Sequence, residues 1–63
     1  MKLTYDAEAD AAYLRLSGGA VLHSEEVSSG IILDYDREGR ILGIELLDAR
    51  AKLTVETLAM AVE

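Results

Sequence analysis

Alternation of polar and apolar residues marks the first part of the chain. Residues 2–5 and residues 11–16 alternate with a period of two, which is the spacing of a half-buried β-strand. Residues 6–10, between them, predict a turn in which Asp6 or Asp10 accepts hydrogen bonds from backbone amides. The pattern therefore predicts two short strands joined by a solvated turn.

The stretch that follows is polar. Between residues 20 and 27 the apolar side chains become sparse around His23, Ser24, Glu25 and Glu26. Charged strands of this kind occur at the edges of sheets, where they discourage aggregation. We therefore predict an edge strand over residues 20–27.

The clearest hairpin lies in the middle of the chain. Residues 31–35 and residues 41–47 are the two most apolar segments, and residues 36–39 between them are polar. Gly39 is available for the positive φ that tight hairpin turns require. These features predict two further strands joined by a turn.

An apolar stripe of helical spacing lies near the C-terminus. Val55, Leu58, Ala59 and Val62 fall at i, i+3, i+4 and i+7, and Thr54 suits the N-cap. A helix of about nine residues is unstable alone, so we expect it to cover one face of the sheet. The predicted fold class is α+β and β-rich, a small antiparallel sheet of about five short strands in hairpins or a meander, with one short C-terminal helix.

Length and composition predict association with another chain. The 63 residues allow a single domain, residues 1–63, and such a domain buries only about 60% of the surface that its unfolded chain exposes. No cysteine is present to form a disulfide or a thiolate zinc site, so oligomerisation is the leading source of extra stability. We expect a homo-oligomer, with a dimer as the first expectation.

The charge of the chain narrows the class of partner. A formal net charge of −6 repels a phosphate backbone, which argues against nucleic-acid binding and favours a basic protein partner. No apolar run approaches the roughly 20 residues of a membrane span, and the first residues lack the apolar segment of a signal peptide. We therefore expect a cytoplasmic protein that has no membrane partner.

Large apolar side chains lie on both faces of the strand predicted over residues 41–47. Alternation places Ile41, Gly43 and Leu47 on one face together with Glu45. The opposite face carries Leu42, Ile44 and Leu46. Because the helix covers only one face, we predict that Ile41, Gly43 and Leu47 lie in an interface with another chain.

The acidic hairpin resembles a calcium loop in its spacing. Asp34, Asp36, Glu38, Gly39 and Glu45 nearly reproduce the pattern in which carboxylates surround Ca²⁺ and a glycine makes the sharp turn. That loop requires flanking helices, whereas the flanking segments here are typical of strands. We favour a hairpin turn that faces water, expect no metal or cofactor, and keep the calcium site as an alternative.

The single histidine is the remaining candidate for chemistry. His23 precedes Ser24 and two glutamates, which suggests nucleophilic catalysis, but neighbouring residues of a strand point to opposite faces. We therefore interpret His23 as an exposed strand residue and do not expect an enzyme. A small hydrolase is kept as a remote alternative.

Two longer motifs resemble a known family. They run Tyr5-Asp6-x-Glu8-x-Asp10-x-x-Tyr13-Leu14 and Asp34-Tyr35-Asp36-x-x-Gly39-x-Ile41-x-Gly43-Ile44-Glu45-Leu46-Leu47-Asp48-Ala49. Both, in this order and at this spacing, resemble the small bacterial proteins of domain-of-unknown-function family 2283. The likeness extends over nearly the whole chain to Leu53.

The resemblance implies a compact sheet in which the two motifs form turns and strands, and it carries over no catalytic residue. Members of the family are also discussed as small partners of toxin-like neighbours, which implies an antitoxin-like role. Our first hypothesis is a protein-interaction domain that self-associates through a strand edge or the second sheet face. Its acidic surface would neutralise a basic partner.

Overall fold

The computed structural model describes residues 1–62 and contains one sheet and two short helices. The elements are β1 (Lys2–Asp6), β2 (Ala11–Arg15), β3 (His23–Ser28), β4 (Ile31–Tyr35), β5 (Ile41–Leu47), α1 (Ala49–Lys52) and α2 (Val55–Ala59). The predicted α+β, strand-rich class is confirmed. All five predicted strands are present, and each lies within two or three residues of its expected limits.

The strand order in the sheet is β1-β2-β5-β4-β3, and every neighbouring pair is antiparallel. The last strand along the chain, β5, therefore lies at the centre. A loop over residues 16–22 leads from β2 to the far edge of the sheet. It is held by hydrogen bonds from the Leu16 amide to the Leu42 carbonyl (2.9 Å) and from the Leu22 amide to the Tyr35 carbonyl (2.9 Å).

The polar strand lies at the edge of the sheet, as predicted. Each of the six residues of β3 is exposed. The strand begins at His23, three residues later than expected, because residues 20–22 belong to the connection that crosses the end of the sheet. The pattern of polarity thus located the edge strand but could not locate its first residue.

Both predicted turns have the expected chemistry. Asp6 Oδ1 accepts hydrogen bonds from the amides of Glu8 (3.1 Å) and Ala9 (3.3 Å) in the turn between β1 and β2. Gly39 has a φ of 80°, and its amide donates to the Asp36 carbonyl at 3.0 Å. Side-chain acceptors and a glycine at positive φ therefore close these two hairpins.

The predicted C-terminal helix is shorter than its apolar stripe. Thr54 is the N-cap, as expected, and its Oγ1 accepts a hydrogen bond from the Thr57 amide at 3.2 Å. The helix ends at Ala59, and Val62 instead forms a parallel bridge with Thr4. A short helix gains little stability alone, whereas β1 offers unpaired backbone groups that Val62 can satisfy. Val55 is 81% exposed, so the stripe does not pack on the sheet as a unit.

Helix α1 was not predicted, because its polar residues carry no apolar periodicity. The first turn of α1 is held by hydrogen bonds to Asp10, which is distant from it in sequence. The Asp10 carbonyl accepts from the Ala49 amide (3.0 Å), and its carboxylate accepts from the Arg50 amide (3.1 Å) and the Tyr5 hydroxyl (2.7 Å). The Tyr5 hydrogen bond is the main reason that the pKa of Asp10 lies below its usual value. Ala49 is consequently buried completely.

The interior of the molecule is small. The buried apolar residues within residues 1–62 are Ala12, Leu42 and Ala49, and none of the large side chains there is fully buried. The accessible surface is 4422 Å². A compact monomer of this mass is expected to expose about 4,000 Å². One chain alone therefore leaves more surface in water than its size requires.

Candidate functional site

The two faces of the sheet differ in chemistry, and the strand register shows how. Between β2 and β5, Tyr13 is aligned with Glu45 and Arg15 is aligned with Gly43. On the other side of β5, Gly43 is aligned with Asp34 of β4. Ser24 on the edge strand is aligned with Asp34. We call the side that carries Tyr13, Arg15, Ser24, Asp34 and Glu45 the polar face.

Tyr13 crosses the central strand on the polar face. Its hydroxyl donates to Asp34 Oδ2 at 2.8 Å, so a bond forms between two strands that are not neighbours. The ring passes over Gly43, and a β-carbon at that position would collide with the Tyr13 hydroxyl. A glycine inside an aliphatic strand is typical of such a close approach. It was the available sequence signal for this contact.

Asp34 joins the tyrosine to the edge strand. Ser24 Oγ donates to Asp34 Oδ1 at 2.6 Å, so one carboxylate links β2, β4 and β3. Burial and the hydrogen bond to Asp34 raise the pKa of Tyr13 above its usual value. The Arg15 guanidinium lies 5.9 Å from the centre of the Tyr13 ring, a cation–π distance. The network fixes the positions of three strands.

The hairpin carboxylate Asp36 already has protein donors. It accepts hydrogen bonds from the amides of Glu38 and Arg40, each at 2.9 Å, and from Arg40 Nε at 2.9 Å. The backbone hydrogen bond from Arg40 is the largest cause that lowers the pKa of Asp36. Glu38 Oε1 accepts from the same guanidinium at 3.3 Å. These contacts are those of a hairpin turn.

The structure does not bring together the carboxylates of the calcium-loop alternative. Asp34 lies in the network with Tyr13, whereas Asp36 and Glu38 hold the turn and Arg40. Glu45 is half-buried on the polar face. No group of three or more metal-ligating side chains comes together within residues 1–62. The hairpin interpretation thus describes these residues, and the calcium alternative gains no support.

The structure separates the two neighbouring side chains that suggested a hydrolase, His23 and Ser24. His23 stacks on Tyr35 with 5.8 Å between ring centres. Ser24, its neighbour in sequence, donates to Asp34 on the polar face. Alternation along β3 therefore separates the imidazole from the serine hydroxyl, as expected.

The three residues predicted to form an interface lie apart. Ile41 and Leu47 are exposed at 42% and 40%, at opposite ends of β5, and about 20 Å of extended chain separates them. Gly43 between them is buried beneath Tyr13. All three residues lie on the polar face, and a partner there would contact the Tyr13 ring rather than Gly43. An interface at these residues stays a prediction.

The opposite face carries a feature that sequence reasoning did not identify as a surface. Leu3, Leu14, Ile44 and Leu33 are aligned across β1, β2, β5 and β4. We call these four residues the aliphatic row. All four are half-buried, and none is fully covered by the rest of the chain. Next to the row, on the edge strand, lies Glu25.

The two ends of this face are covered differently from its middle. The loop over residues 16–22 brings Gly19 against Leu42 at one end, and Leu42 is only 4% exposed. At the other end, Asp10 joins Tyr5 to the start of α1, and Leu58 lines a cavity with Tyr5. Local chain segments thus cover the ends and leave the row between them partly open.

Comparisons with known proteins give a family but no activity. No curated protein and no solved structure matches the chain. Neither helix within residues 1–62 is long and apolar enough to cross a membrane. A family model described as "Protein of unknown function (DUF2283)" matches residues 2–50. That match covers most of the 63 residues, and the chain therefore belongs to the DUF2283 family.

Proposed function

We propose that this protein is a non-enzymatic interaction domain that forms a homodimer by packing the aliphatic rows of two copies together. The observation that carries the proposal is that Leu3, Leu14, Ile44 and Leu33 are only half-buried. Two of the three buried apolar residues of the described chain are alanines. A sheet buries its apolar face against another layer, and a second copy supplies that layer.

The surface area of the chain supports this assembly. The 4422 Å² of accessible surface exceeds the expectation for a compact monomer of this mass by roughly 10%. A standard interface removes about 800 Å² from each partner. An interface of that size would therefore bury the whole of this excess surface. Two sheets packed face to face lie about 10 Å apart, so the rows would interdigitate in a two-layer sandwich.

The charge of the chain supports a second, basic partner. Each copy carries a formal net charge of −6, and a dimer joined through its aliphatic rows keeps both polar faces in water. Such a surface attracts cationic proteins and accelerates their association. An antitoxin-like role, in which the dimer masks a basic protein, is the finer form of this proposal.

The native mass of the purified protein tests the dimer. Sedimentation equilibrium at high micromolar concentration should give twice the 6.8 kDa of one chain. The variant Leu14→Ser should shift the population toward monomer, because it replaces an apolar member of the row. Val55→Ser is the matched control, since Val55 is 81% exposed on α2. A folded wild-type protein that stays monomeric would refute the proposal.

A further inference from the structure

The two outer strands of the sheet, β1 and β3, differ in whether another segment pairs with their outer edge. On β1, Tyr5 donates its amide to the Val62 carbonyl at 3.3 Å, and the Val62 amide donates to the Leu3 carbonyl at 2.8 Å. The C-terminal segment thus covers that edge. On β3, no segment within residues 1–62 pairs with the outer side of the strand. Its backbone N–H and C=O groups are a template for a further strand.

The open edge carries negative charge only. From Ser17 to Asp36, both included, the sequence contains four acidic residues and neither lysine nor arginine. Two of the four, Glu25 and Glu26, lie on β3 itself, and both are exposed. A strand added here would therefore meet carboxylates on both faces of the sheet, because consecutive residues point to opposite sides.

A cavity with apolar and charged lining residues adjoins the start of the same strand, and its charged residues are Asp36, Arg37 and Arg40. It has a volume of about 730 Å³ and lies between the loop over residues 16–22 and the hairpin that joins β4 to β5. Val21, Leu22 and Ile41 contribute to its lining and are 43%, 69% and 42% exposed. Leu22 directly precedes β3, so the cavity continues the line of the open edge. Its volume is within the range of sites that hold apolar groups.

We propose that the β3 edge and this cavity together bind an extended, basic segment of a different protein. The segment adds as a sixth strand, places Lys or Arg side chains beside Glu25 and Glu26, and inserts a large aliphatic side chain beside Leu22. Backbone hydrogen bonds along the edge supply affinity, and the carboxylates and the cavity supply specificity. This inference rests on the proposed function as an interaction domain, and it specifies where and by which chemistry the second partner binds.

A second copy of the chain does not suit this edge. Two β3 strands paired edge to edge would bring the exposed side chains of Glu25 and Glu26 close to those of the other copy. Like charges on paired strands are destabilising. The same side chains that prevent self-pairing therefore favour a cationic strand. Self-association is left to the aliphatic row, which adjoins Glu25 but lies on one face of the sheet rather than at its edge.

Binding is tested on the full chain by NMR titration with a synthetic peptide of about ten residues that alternates Lys and Val and carries one terminal Leu. We expect chemical-shift changes at residues 21–28 and saturation at submillimolar concentration. The same peptide with Glu in place of Lys is the ligand control and should not bind. Absence of saturable binding, or shift changes confined to the aliphatic row, would overturn the inference.

Two variants test the chemistry of the site. Glu25→Lys should weaken binding of the lysine peptide by about tenfold, whereas Glu56→Lys makes the same charge change on α2 and should leave it nearly unchanged. Leu22→Ser should weaken binding of the peptide with a terminal Leu but not of one with a terminal Ala. Equal losses for Glu25→Lys and Glu56→Lys would show that only net charge matters, and would refute a site at the edge.

The mass of the complex separates this inference from the proposed dimer. A dimer that binds the peptide supports both, and a dimer that binds none refutes the edge site alone. A monomer that binds the peptide at residues 21–28 refutes the homodimer and keeps the edge site. The variant Leu14→Ser, which changes only the row, should bind the peptide with the same affinity as the wild-type chain.

Discussion

At the scale of single residues, the contact between Tyr13 and Gly43 fixes the centre of the sheet. The tyrosine reaches Asp34 only because the strand between them has no side chain at that point. Glycine normally weakens a strand, because its backbone loses more conformational entropy on folding and it has no side chain to pack against neighbours. Here its small size admits a ring and a hydrogen bond that connect non-neighbouring strands.

Replacing this glycine should be costly. Gly43→Ala puts a β-carbon where the Tyr13 hydroxyl lies, so the ring must move and its bond to Asp34 is lost. We expect a loss of about 2 kcal/mol or more in the free energy of unfolding, measured by urea denaturation. Gly18→Ala is the matched control, because a β-carbon there meets open space, and it should change stability by less than about 0.5 kcal/mol.

Acid should destabilise the protein partly through Asp36. The amide of Arg40, and then its side chain and the Glu38 amide, stabilise the ionised carboxylate and hold the pKa of Asp36 below its usual value. A lowered pKa in the folded state gives stability that is present above the unfolded pKa of about 3.9 and is lost as the pH falls through the folded pKa. Urea midpoints measured from neutral to acidic pH should therefore fall less in Asp36→Asn than in the wild-type chain. Parallel curves would contradict this assignment.

At the scale of elements, the strands were predictable because their signal is local. A period of two, punctuated by turn residues, is contained within each strand and needs no knowledge of its neighbours. The end of the chain was not predictable in this way. Asp10 accepts a hydrogen bond from the first turn of α1, and Val62 forms a bridge with Thr4. Both contacts join segments that are distant in sequence. The link between Tyr13 and Asp34 was missed for the same reason, since it depends on the register of three strands.

The pairing of Val62 with β1 can be tested by itself. Val62→Pro removes the amide that donates to the Leu3 carbonyl, and should cost about 1 kcal/mol of stability. Hydrogen exchange at the Tyr5 amide should accelerate by about fivefold, because its acceptor is the Val62 carbonyl. Val62→Ala keeps the backbone bond and serves as the control. Unchanged exchange at Tyr5 in the proline variant would contradict the pairing.

At the scale of the whole molecule, stability and association are expected to be coupled. If the aliphatic rows meet in a dimer, the melting temperature must rise with protein concentration, because dissociation accompanies unfolding. The same measurement on Leu14→Ser should show a weaker dependence on concentration. A melting temperature that stays constant over a hundredfold range of wild-type concentration would argue that the rows do not pair.

The central position of β5 also has a consequence for how the chain folds. Both hairpins that precede it can form from local sequence, but β1 and β2 join β4 and β3 only through β5. Isolated two-stranded hairpins are at best marginally stable in water. A chain that ends before Ile41, whether still being synthesised or cut by a protease, therefore holds two unconnected hairpins and no sheet. Folding must wait for the last strand, and partial products are expected to be degraded rather than to persist as smaller folded forms.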